Sequence, residues 1–346
     1  MSRDLDLEQR YRRVLRLLPG YYRERWEQDM IAAFLDGWLT GDAETDAYIT
    51  EAARPEWAEV ASVAGLAGRL YLGGAGAPRR YFAWGQAVRR AVLAAVLVHA
   101  VLGLDVLVRT AWSRRLFGLP APPAFLTIIS SGGVWFTVYY VVNFAWIVIF
   151  AALILGRYRT ARVIAVLAIV PGLVASLQTQ LTGSMPAPFA SWAFWVPLSL
   201  APVLAMAAFH QDAPSAAGRR WLLALPAGDL LVIAPMLALQ ASSNFAWVPD
   251  FPGQCCLLVA LACLAYAPRA WSRRAVGSGA WSLALALLAL VAGVYRIASL
   301  GDYLHDPHLI AVSLGELLIL VTAAALVAPD AARAQATTPA PRTMAV

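Results

Sequence analysis

The residue with the most chemical potential in this chain is Asp229. It sits in an apolar stretch, residues 221–240, after Pro226 and Gly228 and before Pro235. A charged side chain at a bilayer centre costs about 2.5–3.5 kcal/mol on insertion scales, so a carboxyl there calls for an explanation. Proline and glycine interrupt a helix and free backbone carbonyls, as in the broken helices of transporters. The pattern points to a proton or cation site with Asp229 as ligand or carrier. The plainer reading is a carboxyl held neutral, or hydrogen-bonded to a neighbour, for packing. Four more ionisable groups lie in apolar segments. Arg296 and Glu316 flank one connection at similar depth by helical rise, and Asp105 and Arg109 stand four residues apart. Both sets read as structural ion pairs, since removing one partner would strand a charge in lipid.

Other constellations are weaker. His305, Asp306 and His308 carry zinc-type donors in one loop, with Asp302 nearby, but Pro307 breaks their alignment and a fourth ligand is missing. No metal and no cofactor is expected. There is no His-Glu-x-x-His, no Walker-type Gly-Lys-Ser/Thr and no Gly-x-Ser-x-Gly, so the chain does not read as an enzyme. Without a nucleotide loop it would not drive transport by hydrolysis alone. Cys255, Cys256 and Cys263 share one apolar stretch and read as buried small side chains.

The elements that must hold these groups follow from hydropathy. With 60% hydrophobic and 14% charged residues and mean hydropathy +0.62, the chain has too much apolar surface for a soluble fold of its length. A spanning helix needs about 20 mainly apolar residues. Candidate spans are 91–111, 133–155, 163–180, 189–209, 221–240, 252–268, 279–300 and 309–328. Pro249, Asp250 and Pro252 crowd the start of the sixth.

Arginine orients the spans. Arg89 and Arg90, then Arg157, Arg159 and Arg162, then Arg219 and Arg220, then Arg269, Arg273 and Arg274 fall on alternate connections. The connections 181–188, 241–251 and 301–308 carry none, and Arg114 and Arg115 are the exception. Positive residues stay cytoplasmic, so both termini are expected inside a cell membrane crossed about eight times. Residues 1–76 hold 9 arginines and 13 acidic residues, net −4, while the remainder holds 18 and 8, net +10, together the chain's +6. The basic charge is thus a topology signal, and no direct nucleic-acid binding is expected. Residues 1–88 lack an apolar run behind a basic start, so no signal peptide is expected.

Residues 1–72 read as a cytoplasmic module of three helices. Leu7, Tyr11, Val14 and Leu18 share one face of the first, and Pro19 starts the second, which Gly41 and Asp42 end. Pro55 opens the third, with Glu56 and Glu59 in its first turn, and the stripe there is Trp57, Val60, Ala64, Ala67 and Tyr71. Some 70 residues bury only a marginal core. The aromatics Trp26, Phe34, Trp38, Trp57 and Tyr71 therefore form a candidate face for docking on a partner, against the alternative of a solvated cap. Residues 73–90 read as a Gly-rich linker and interfacial segment, and 329–346 as a disordered cytoplasmic tail.

Leu15-Arg16-Leu17-Leu18-Pro19, then Arg23-Glu24, then Glu27 and Asp29 before the apolar run Met30–Leu35, resemble the N-terminal helical domain of certain bacterial membrane proteins, the HAAS-like (PadR-associated) and permease-prefix modules. The family's later Gly-Asp-Pro step stands here as Ala53-Arg54-Pro55. The resemblance covers about a fifth of the chain and implies a module preceding transmembrane helices, often paired with a PadR-type regulator.

The expected fold is all-α: a small cytoplasmic helical module followed by a polytopic membrane domain, with the lipid bilayer as its constant partner. The expected function is regulatory or signalling, with residues 1–72 engaging a cytoplasmic regulator protein. The alternative is transport, as a permease subunit needing a separate ATPase or as a proton-coupled carrier through Asp229. A third reading, an enzyme acting on lipid, would rest on Asp302, His305, Asp306 and His308 alone.

Overall fold

The computed structural model describes residues 7–74, 77–116, 118, 134–182, 200–210, 218–241, 251–271 and 279–336. Every regular element among them is helical. The chain divides into two compact units, residues 1–85 and 86–346.

The first unit contains α1 (Leu7–Leu15), α2 (Gly20–Trp38), α3 (Ala43–Ala52), α4 (Trp57–Tyr71) and the start of α5 (Arg79–Ser113). Leu7, Tyr11 and Leu15 recur every four residues and are buried with Leu18, Ile31, Phe34, Val63, Ala67 and Leu70. Tyr11 stacks flat on Phe34 with ring centroids 3.8 Å apart. Burial, with Glu59 close by, raises the Tyr11 phenol above its ordinary value. Tyr21 is pushed up to about 12 by burial, among Tyr81, Tyr22 and Tyr71.

Among the described residues the first unit thus has four helices ahead of α5, one more than the apolar pattern predicts. The missed helix, α3, buries none of its residues. Capping holds it instead: the Asp42 carboxylate accepts from the Thr45 backbone N–H (3.0 Å) and hydroxyl (2.6 Å). Asp46 accepts from the Thr40 N–H at 2.7 Å, and Arg10 of α1 donates to the Glu51 carbonyl at 2.8 Å. Hydrogen bonds to Thr45 hold the Asp42 carboxyl below its ordinary value. A depressed carboxylate stabilises above its unfolded pKa, about 3.9, and that support is lost as pH falls through the lower folded value. Asp42→Ala at neutral pH should therefore speed amide exchange across 43–52 selectively, and acidification of the wild type below about pH 4 should lower the protection factors of the same amides relative to unfolded peptides at that pH.

Residues 79–90, read above as part of a linker and interfacial segment, open α5, a single helix of 35 residues. Residues 329–336 continue α12, where Arg333 Nη2 donates to the Ala270 carbonyl at 3.3 Å; residues 337–346 of the expected tail lie outside the described residues.

In the second unit, α5 is followed by α6 (Val134–Ile154), α7 (Tyr158–Thr182), helical residues 200–205 (α8), α9 (Ala224–Ala241), α10 (Phe251–Trp271), α11 (Gly279–Ser299) and α12 (Pro307–Ala336). Single 3-10 turns at Met206–Ala208 and Arg219–Leu223 follow α8 and precede α9. Among the described residues four helices, α5, α10, α11 and α12, are long and apolar enough to cross a membrane by length and composition. Of the expected span 189–209, residues 189–199 lie outside the described residues.

Packing in α10–α12 is inverted relative to a water-soluble bundle. Its interior is lined with small side chains, Cys256, Ala260, Cys263, Ala289, Ala292 and Ala323, whereas Leu261, Leu290, Leu314, Leu318 and Val321 face outward. Small residues let helices approach when lipid supplies no hydrophobic drive, and exposed leucines are favourable only against hydrocarbon. The cysteine thiols belong to this interior, with Cys256 Sγ donating to the Ala292 carbonyl at 3.6 Å.

Helices α5 and α6 meet as closely. A Cβ on Gly103 would lie 2.4 Å from the Asn143 carbonyl oxygen, a backbone atom that cannot swing away. Gly103→Ala should force the two helices apart and lower stability by about 1–3 kcal/mol, measured as a drop in thermal midpoint in detergent.

Candidate functional site

Asp105, Arg109 and Asp229 come together where α5 meets α9. Gly228 brings the helices close: a Cβ there would lie 2.6 Å from Val101 Cγ2. The next residue, Asp229, is thereby held among the α5 side chains one turn beyond Val101. Asp105 and Arg109 form the i, i+4 ion pair on that turn, through Asp105 Oδ2. Asp105 and Arg109 are the charged groups that act electrostatically on Asp229. Asp229 is 7% exposed and Asp105 2%. The Oδ1 atom of each is shielded from solvent and has no hydrogen-bond partner. At about 1.5 Å per residue, the Val101–Gly228 crossing lies about 16 Å along α5 from Arg90, roughly half the thickness of a hydrocarbon core.

The arithmetic of charge decides what such a cluster can do. Two carboxylates against one guanidinium leave one negative charge uncompensated when all are ionised. Coulomb energies grow as the dielectric falls, so an excess charge buried there is met by taking up a cation or proton. Asp229 supplies the free oxygen for it, and Asp105 a second.

Arg296 and Glu316 form a different kind of site. Their side chains pair at 2.7 Å and are 3% and 7% exposed. A Cβ on Gly253, in the first turn of α10, would lie 2.4 Å from Glu316 Oε1, so the carboxylate is pressed against that helix start. Ser299 Oγ lies 3.5 Å from Arg296 Nη1. One ion pair therefore ties α10, α11 and α12 together near one end of the bundle. At the other end Ser282 of α11 donates to Asp330 of α12, and Arg333 reaches α10.

Two arginines acquire a role that spacing does not disclose. Arg89, fully buried, donates to the Ala208 carbonyl at 3.1 Å. Arg162 donates to the Met206 carbonyl at 3.2 Å and to the Phe209 carbonyl. Side chains from α5 and α7 thus hold the carbonyls of the 3-10 turn that follows α8, where Met206 also accepts from the Phe209 N–H at 3.0 Å. In the sequence both are loop arginines like any other, and no local signal separates them.

The expected docking aromatics divide. Phe34 lies in the core and is withdrawn from the docking face. Trp38 is half-buried, with Nε1 donating to Glu59 Oε1 at 3.2 Å, and is withdrawn too. Trp26, Tyr71 and above all Trp57, 87% exposed, remain outside, joined by Tyr48 of α3 at 73%. On α4 the buried positions are Val63, Ala67 and Leu70, one face over from the expected stripe.

His305, Asp306 and His308 are exposed at the start of α12. Asp306 Oδ1 caps that helix, accepting from the His308 N–H at 2.9 Å and the Leu309 N–H at 3.3 Å. Its carboxylate is thereby engaged in starting the helix that carries Glu316.

No family model matches this chain, and no curated protein or solved structure matches it either.

Proposed function

We propose that this is a membrane protein of about eight spans with both termini cytoplasmic, and that its membrane domain takes up and releases a proton or small cation at Asp229, Asp105 and Arg109. The observation that carries this reading is the Asp229 carboxylate, buried without a partner for Oδ1 beside the Asp105–Arg109 ion pair, so that two carboxylates share one guanidinium. A packing carboxyl would be hydrogen-bonded, because an unsatisfied buried polar group costs about 1–3 kcal/mol. The reaction class is carrier-type transport coupled to that charge.

The test is reconstitution of the full chain into liposomes holding a pH-sensitive dye, under an imposed membrane potential. Proton entry above the protein-free rate, absent in Asp229→Asn, supports the proposal. Equal entry with and without the substitution would sink it.

A regulatory reading keeps one specific support. The first unit is a separately compact body with Trp57 and Tyr48 exposed, suited to engaging a cytoplasmic regulator protein. Its readout is different: proteins co-purifying with the full chain should be lost on deletion of residues 1–72, whereas proton entry need not change.

A further inference from the structure

Helix α3 buries none of its residues fully, and half-buried Ile49 holds it to the core of the first unit. Away from that core it carries Glu44, Tyr48 and Glu51, spaced i, i+4 and i+7. Side chains at that spacing stack along one side of a helix, here over about 10 Å. All three are exposed. Trp57, the most exposed large side chain of the first unit, opens α4. The five chain steps from Ala52 to Trp57 span at most about 18 Å, so both aromatics belong to one corner of the module.

Charge says what that corner fits. Residues 42–59 hold six carboxylates against one arginine, Arg54. Four of the six are engaged inside the module. Asp42 caps α3, Asp46 accepts from Thr40, Glu59 accepts from Trp38, and Glu56 takes part in the capping box of α4. Glu51 accepts from Arg10 through its backbone carbonyl alone. The carboxylates of Glu44 and Glu51 make no hydrogen bond or ion pair among the described residues. An acid–aromatic–acid row is complementary to a helix bearing arginine, an apolar residue and arginine at the same spacing. Each guanidinium would then meet a carboxylate, and the aromatic faces would take the apolar side chain and the arginine stems. A membrane surface fits less well, because anionic headgroups repel such a row.

We infer that Glu44, Tyr48, Glu51 and Trp57 form a docking face for a basic, arginine-bearing helix of a cytoplasmic partner protein. The inference rests on the regulatory reading of the first unit and names the chemistry of its partner.

Full-length protein in neutral-detergent micelles would be titrated with a fluorescein-labelled, alanine-based helical peptide holding one leucine between two arginines seven residues apart. The same peptide with glutamate for arginine, and protein-free micelles, serve as controls, with anisotropy as the readout. The expected result is saturable binding of the arginine peptide alone. Its affinity should fall roughly tenfold in Trp57→Ala and in Glu44→Gln combined with Glu51→Gln, and stay unchanged in Asp36→Asn, an exposed acid on α2. The substituted side chains are exposed, so the variants should keep the wild-type thermal midpoint, and lost binding is not lost folding. No saturable binding of the arginine peptide, equal binding of both peptides, or wild-type affinity in either variant overturns the inference. Protection of the 43–60 amides from exchange by phosphatidylglycerol nanodiscs, without peptide, would assign the face to lipid and overturn it as well. The regulatory reading fails separately, if no co-purifying protein is lost on deletion of residues 1–72. A partner lost with residues 1–72 but kept by Trp57→Ala overturns this face alone.

Discussion

Arg296→Ala should destabilise the α10–α12 bundle by about 3–5 kcal/mol, and Arg296→Met combined with Glu316→Leu should recover most of that loss. The reasoning turns on what each change leaves behind. Deleting the guanidinium removes the countercharge of a carboxylate that is 7% exposed and pressed against the start of α10. Deleting both charges strands nothing, and the apolar replacements fill similar volume among the small side chains of the bundle. A buried pair is costly to break and nearly neutral to replace, because desolvation offsets much of its attraction. The measurement is a double-mutant cycle on thermal midpoints in detergent. Additive single and double effects would show that the pair does not couple the helices. The same cycle separates a structural pair from a functional one, since proton entry should survive in the apolar double variant.

The proton cluster should respond in the opposite sense. Asp105→Asn should abolish proton entry without lowering stability, because Asp229 is placed to take over Arg109. The cluster would then hold one carboxylate and one guanidinium and need no further cation. Arg109→Leu should be the damaging change, leaving two buried carboxylates facing each other across α5 and α9, at a cost of about 3–5 kcal/mol. If Asp105 and Arg109 were only a packing pair, Asp105→Asn would strand Arg109 and destabilise the protein, while Asp229→Asn would be silent. Thermal midpoints and dye-monitored proton entry on the three variants distinguish the two cases without knowledge of any other substrate.

Several features were legible before any coordinates, and the reasons are local. Period-3.6 spacing exposes the face of α1 that Leu7 and Tyr11 bury, and proline marks the start of α2. An i, i+4 acid–base spacing on a helix leaves Asp105 and Arg109 little choice but to meet. Helical rise from a shared connection puts Arg296 level with Glu316. What spacing misses is structure held by something other than burial. Helix α3 buries no residue fully, with half-buried Ile49 packed against the core, and is built on Asp42, Asp46 and Arg10, so an apolar template passes over it. Phe34 and Trp38 were placed on the docking face for the converse reason. Aromatic side chains recur on α2 whether they face a partner or the core, and only the stacking of Tyr11 on Phe34 shows which.

The sequence by itself determined that this protein is helical and made for a membrane, because hydropathy and helical period are properties of contiguous residues and need no partner to be read. It also determined that charges would be buried, since Asp229, Arg296 and Glu316 stand in runs too apolar to leave them elsewhere. Only the tertiary structure decided what those charges meet. Gly228 against Val101 sets Asp229 beside the Asp105–Arg109 ion pair, Gly253 lets Glu316 close three helices into one bundle, and Arg90 lies over the ring of Trp281. Such encounters join residues distant in the chain, and they depend on how closely two backbones approach, a distance that no local pattern of residues encodes.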